Sequence, residues 1–213
     1  VMRYMPGGSL ADRLSKGPMA TDEISHIIAR LASALDQVHA HNIIHRDLKP
    51  ANILFDLYGE SYLSDFGIAH LSEATTNLTG DSIVGTPAYM SPEQARGDPI
   101  DSRSDLYALG VILFQMLSGR QPYQATTPIA VAMKHITEPI PSLYTTRPDL
   151  PQTYDRVIAG AMAKEPDKRF ATGNDLFTAF QKAILSSSDS ESRPVTPPPP
   201  ARIKSPVAQQ SAV

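Results

Sequence analysis

The chain has 213 residues, 41% of them hydrophobic and 19% charged, which is enough for one domain with a sizeable core and a tail. A net charge of −3 at pH 7 gives no electrostatic footprint for nucleic acid, and the lack of Cys excludes disulfides and thiolate metal sites. No apolar run approaches the ~20 residues that span a bilayer, so composition is compatible with a cytoplasmic chain. The opening Val1-Met2-Arg3-Tyr4-Met5 lacks the apolar core and small-residue cleavage site of a signal peptide. With no Met at position 1 it reads as an internal start, and the chain as a fragment.

Taken in order, residues 1–5 read as a short strand running into the Pro6-Gly7-Gly8 turn. Ser9 can cap a short helix to about Leu14, broken by Gly17-Pro18. Thr21-Asp22-Glu23 opens a second helix. Ile24, Ile27, Ile28, Leu31, Leu35 and Val38 follow helical spacing, and an end is expected near His41-Asn42. Two short strand-like runs, 53–55 and 62–64, flank polar residues 56–60 and predict a hairpin. Residues 71–84 are rich in Ser, Thr and Asn and read as a loop. Ser91 is placed to cap a helix with Pro92 at its first position.

The stretch 101–117 is apolar on every helical face, which predicts a helix buried on all sides. Ser118-Gly119 closes it. Three more helices are expected at 129–136, 154–162 and 175–185. From Ser186 the sequence turns Ser-rich and then runs into Pro197-Pro198-Pro199-Pro200, the composition of an extended or disordered linker.

The chemistry concentrates in Ile44-His45-Arg46-Asp47-Leu48-Lys49-Pro50-Ala51-Asn52. Apolar residues lead in and out, and Pro50 biases Lys49 away from helix, so a polar loop is held between buried elements. His45-Arg46-Asp47-Leu48 followed by Asn52 resembles the catalytic loop of protein kinases, and Asp65-Phe66-Gly67 the metal-binding tripeptide that follows it. Ser91-Pro92-Glu93 stands where the family has Ala-Pro-Glu. The run 85–119 is most similar to bacterial Hanks-type (eukaryotic-like) serine/threonine kinases. The resemblance implies a mostly helical C-terminal lobe with a small hairpin: 1–5 as the end of the last N-lobe strand and hinge, 6–185 as the C-lobe, and 186–213 as a linker.

The same resemblance implies roles. Asp47 would accept the proton of the substrate hydroxyl, Lys49 would reach the transferred phosphate of ATP, and Asn52 and Asp65 would hold Mg2+. Taken singly, each of these residues has an ordinary reading as a cap, a turn residue or a solvated charge; their order and spacing argue otherwise. Met2 would be the gatekeeper, Arg3 and Met5 would meet the adenine edge, and Leu54 would lie beneath the ring. His45, Phe66 and Gly67 would shape the site. Thr86 would hydrogen-bond near Asp47 and Lys49, and Glu93 would pair with Arg169. Asp105, a carboxylate entering a core, must be hydrogen-bonded, and in the family it holds the loop backbone. Arg46 would receive a phosphate placed on 71–84, with Thr79 first among Thr75, Thr76 and Ser82. A loop rich in Thr simply because loops are polar is the alternative.

The N-lobe's Gly-rich loop and strand Lys do not occur in these residues. Two functions stay open: a serine/threonine kinase acting on protein substrates, carried here as a partial catalytic domain with the rest of the lobe elsewhere, or a non-catalytic kinase-like binding module. In the first, a membrane anchor downstream of the linker would match the family's usual layout.

Overall fold

The computed structural model describes residues 5–66 and 87–191. The strand expected before Met5, with Met2 and Arg3, lies outside them. So do Gly67, Thr75, Thr76, Thr79, Ser82, Thr86 and the Pro-rich stretch.

Helix α1 (Leu10–Leu14) starts on a reciprocal capping box, Ser9 with Asp12. Helix α2 (Thr21–His39) buries Ile24, Ile27, Ile28, Leu31 and Leu35 on one face. It ends two residues before the expected His41-Asn42. Asn42 adopts a left-handed φ of 58°, and the Ile43 N–H closes back on the Val38 carbonyl at 3.0 Å. Asn42 thus stands where a helix-ending glycine commonly does. A 3-10 turn (Pro50–Asn52) precedes strand β1 (Ile53–Phe55), which pairs antiparallel with β2 (Ser61–Leu63). The second strand is thus assigned one residue earlier than expected, yet Ser64 keeps its register: Leu63 pairs with Ile53, and Ser64 N–H to Asn52 O continues the ladder one step further. Gly7 and Gly8 lie along β1 through Gly7 N–H to Phe55 O and Phe55 N–H to Gly8 O, both 2.9 Å. A Cβ on Gly7 would sit 2.5 Å from the Asp56 carbonyl, so only glycine permits that approach.

Helix α3 (Pro92–Arg96) begins at Ser91 with Pro92 at its first position and ends on Gly97 in the left-handed region. Helix α4 (Arg103–Ser118) is buried from Ser104 to Phe114 without interruption. It is the axis of the domain, packed against α2 and α7 (Thr153–Ala161), with α6 (Leu143–Thr146) beside it. Each fully buried Leu, Ile or Phe there contributes ~1.5–3 kcal/mol. Gly110 makes the α4–α7 approach possible, since a Cβ would lie 2.6 Å from the Ala161 Cβ.

Helix α5 (Pro128–Thr137) rests on α3, and α8 (Gly173–Glu191) on α2 and α7. Asp36 of α2 caps α8 by accepting from Gly173 N–H at 2.6 Å and Asn174 N–H at 2.9 Å. Helix α8 continues to Glu191, past the change of composition at Ser186. Extending an established helix adds one hydrogen bond per residue fixed, and needs no further nucleation. Among the described residues no helix is long and apolar enough to cross a membrane.

Candidate active site

The loop between α2 and β1 is held from three sides. His45 is fully buried, with its Nε2–H on the Ser64 carbonyl at 3.0 Å and its ring 4.7 Å from that of Phe66. A carbonyl can only accept, so Nε2 carries the proton; Nδ1 is buried without a partner. Asp105, at the start of α4, accepts from the backbone N–H of His45 at 2.8 Å through Oδ2 and from that of Arg46 at 2.9 Å through Oδ1. His39, in the last turn of α2, reaches the same Oδ2 at 2.8 Å. The carboxylate entering the core therefore finds its donors in the loop and in α2, the partners its burial requires.

From this support Asp47 and Lys49 face each other, Nζ to Oδ2 at 2.7 Å, both part-buried. The Asn52 amide nitrogen donates to the Asp47 carbonyl at 2.8 Å and to Oδ2 at 3.2 Å. Both bonds use the nitrogen, which leaves the Asn52 carbonyl oxygen for another partner. The hairpin brings Ser64 back to Asn52, with N–H to Asn52 O at 2.9 Å and Oγ to the same oxygen at 3.1 Å. Asp65 follows at once, exposed and with φ 53°. Leu54, whose neighbours Ile53 and Phe55 are both buried, is half-buried and bridges to Ser9, so residues 7–9 run along β1.

Two of these residues are backbone outliers. Arg46 (φ 68°) and Asp65 (φ 53°) occupy the left-handed region without being glycine, a conformation that costs ~1–3 kcal/mol and persists only where the surroundings over-determine it.

Glu93 and Arg169 meet in the core as a bidentate pair, at 2.6 and 2.7 Å. Burial alone would push the Glu93 carboxyl up. Hydrogen bonds from Arg169 and Ser104, with the guanidinium charge, outweigh it and hold the carboxyl down to about 2. The Arg169 guanidinium also donates to the carbonyls of Ala163, Arg103 and Lys164, and lies 4.9 Å from the Tyr107 ring centre. Beyond Tyr107 lies His135, fully buried, its Nδ1 2.9 Å from the Tyr107 hydroxyl. Burial, then the Lys164 charge, brings His135 down to about 4.

Sequence reasoning missed His39, Ser104 and Gln94. The first two carry no local signal, since their partners lie 66 and 11 residues away. Gln94 did carry one: Ser91-x-x-Gln94 is a capping-box pattern. Among the described residues no three His, Cys, Asp or Glu converge as a metal site.

Residues 1–181 match the protein kinase domain model. The chain is 37% identical over 194 residues to the serine/threonine-protein kinase PrkC of Bacillus subtilis, covering 91% of this chain and 30% of that protein. It is 40% identical over 180 residues to PknB of Mycolicibacterium smegmatis, covering 83% and 29%. It is 39% identical over 186 residues to PknH of Mycobacterium bovis, covering 86% and 31%. The chain thus spans less than a third of the length of these relatives. The family match covers the helical domain from α1 into the first half of α8, and the site described above lies inside it, so the chain belongs to the protein kinase family, among its bacterial Hanks-type serine/threonine members.

Proposed function

We propose that these residues form the larger lobe of a serine/threonine protein kinase domain that transfers the ATP γ-phosphate to Ser or Thr hydroxyls of proteins. The observation that carries the reading is the convergence of Asp47, Lys49 and Asn52 on one carboxylate oxygen, with Asp65 delivered beside them by the hairpin. Asp47 orients the acceptor hydroxyl and takes its proton, and Lys49 offsets negative charge on the phosphate in flight. Met5 and Leu54 share the edge where the resemblance puts the adenine, with Arg3 to be placed there too.

The donor set fits Mg2+. This ion prefers hard oxygen and is commonly held by one or two protein groups plus substrate phosphates, and Asn52 and Asp65, joined through Ser64, offer two such oxygen donors. Asn52 and Asp65 would hold it, and when bound it would neutralise phosphate charge. Thr86 and the acceptors on 71–84 belong to the same proposal, with Thr79 first and Arg46 as the cation that would pair with its phosphate. ATP makes the cytoplasm, or the cytoplasmic face of a membrane, the place of action. The 213 residues themselves carry no Gly-rich loop or strand Lys, and positioning is nearly the whole of this catalysis. Turnover by these residues alone is therefore expected to be very weak.

The test is Mg-ATP phosphotransfer to a protein acceptor by the full-length gene product and its Asp47→Asn variant. Loss of a general base predicts a fall in kcat of ~10²-fold or more, with little change in KM for ATP. A full-length parent without phosphotransfer would refute the reading and favour a binding module; an Asp47→Asn protein as active as an active parent would refute the role given to Asp47.

A further inference from the structure

Arg46 is the strained residue that immediately precedes Asp47, and both of its backbone polar groups are gripped from outside the loop. Its N–H donates to Asp105 of α4, and its carbonyl accepts from Gln94 Nε2 of α3 at 2.8 Å. That carbonyl belongs to the same rigid peptide plane as the Asp47 N–H, so fixing the oxygen fixes the plane on which the Asp47 side chain is built.

The amide of Gln94 is used at both ends. Its Oε1 accepts from Ser91 N–H at 3.0 Å and from Ser91 Oγ at 3.1 Å, while Nε2 faces the Arg46 carbonyl. A backbone N–H can only donate and a carbonyl can only accept, so the orientation of the amide is settled by its partners. Only an amide satisfies both. A carboxylate would cap α3 equally well but would set negative charge against the Arg46 carbonyl with no proton to offer.

We infer that Gln94 is a positioning residue for phosphoryl transfer: it locks the Arg46–Asp47 peptide and ties the orientation of Asp47 to the cap of α3. The inference rests on the proposed role of Asp47.

The test uses Gln94→Glu, which keeps the cap and removes the donor, and Ser91→Ala, which weakens the cap but leaves the Ser91 N–H and the Gln94 amide in place. Amide hydrogen exchange on the full-length protein reads the loop directly. In Gln94→Glu, exchange at His45 and Arg46 should quicken about tenfold, with the melting temperature nearly unchanged. In Ser91→Ala the melting temperature should fall while those two amides keep their protection. In the full-length protein, Gln94→Glu should lower kcat about tenfold and leave KM for ATP within twofold. Gln94→Ala, lacking both bonds, should show the same faster exchange and serves if the charged variant does not fold. Exchange within twofold of the parent in the folded variants would overturn the inference, as would faster exchange with unchanged kcat. If the parent shows no phosphotransfer, or Asp47→Asn is fully active, while Gln94→Glu still loosens the loop, the role proposed for Asp47 fails and the grip on the peptide stands.

Discussion

Removing the Arg169 guanidinium should invert the acid dependence of stability. Glu93 is 3% exposed and Arg169 6% exposed, and their pair joins α3 to the residue that closes the 3-10 turn after α7. The Glu93 carboxyl falls from an ordinary 4.5 to about 2. At about 1.4 kcal/mol for each tenfold change in proton affinity, the ionised form contributes ~3 kcal/mol. The folded value lies below the unfolded one, so this stability is fully present above pH 4.5 and is lost as pH falls from 4.5 toward 2.

Arg169→Met keeps the apolar stem and removes every donor. Glu93 is then left with Ser104 Oγ at 2.6 Å as its remaining side-chain partner, buried and without a counter-charge. The expected cost at pH 7 is ~3–5 kcal/mol, or roughly 10 °C in melting temperature for a domain of this size. Burial now raises the folded carboxyl above 4.5. The destabilisation is therefore full at neutral pH and is relieved as pH falls toward 4.5, because protonation removes the buried charge. Urea unfolding at pH 7, 5.5 and 4.5 should show this group's contribution flat in the parent, which loses it only below pH 4.5, and rising toward acid in the variant. A variant that loses less than 1 kcal/mol at pH 7, or that follows the parent's pH slope, would refute the argument.

Three further outcomes follow from the same geometry. His135 stays neutral in the folded chain down to about pH 4 but takes a proton near 6.5 when unfolded, so stability should drop by up to ~3 kcal/mol as pH falls from 6.5 to 4; His135→Phe should lack that limb in urea titrations, whereas an unchanged limb would assign it elsewhere. Gly110→Ala drives a Cβ to 2.6 Å from the Ala161 Cβ and should destabilise by ~1–3 kcal/mol in thermal melts, against the ~1 kcal/mol that helix propensity returns. Asp105→Asn leaves one acceptor oxygen for the N–H groups of His45 and Arg46 and turns an NH2 on the other, so it should cost ~2–4 kcal/mol in urea unfolding and quicken exchange at both amides; protected amides at native rates would contradict the assigned grip.

What was legible in the sequence was whatever a few neighbouring residues decide. The all-round apolar run at 101–117 became α4, Ser9 and Ser91 became caps, and Gly119 closed its helix in the left-handed region. Boundaries moved by a residue or two: α2 is assigned to His39 and closes through Asn42, which takes a glycine-like φ, and β2 is assigned to Leu63 although Ser64 keeps its register with Asn52. Helix α6 has four residues, too few to show any period. The site was legible as residue types at family spacing, and illegible as geometry, because nothing in the string His-Arg-Asp announces a positive φ.

That gap has a physical cause. A glycine at positive φ announces itself because the residue permits the conformation; Arg46 does not permit it and is held there by others. The holders are 59 residues away at Asp105 and 48 residues away at Gln94, on two different helices. Asp105 is caught in turn by His39, and α3, which carries Gln94, is anchored by Glu93 to Arg169. The loop's strained backbone therefore draws on α2, α3, α4 and the turn before α8 at once. A conformation costing ~1–3 kcal/mol needs restraint of at least that size, and two charge-assisted bonds from Asp105, at ~1.5–3 kcal/mol each, with the neutral bond from Gln94 meet it. Removing Gln94 alone should thus loosen the Arg46–Asp47 peptide without unfolding the domain, whereas removing Asp105 withdraws most of the restraint. The ordering of the two variants, exchange first and stability second, separates a peptide held for its function from one held by the core.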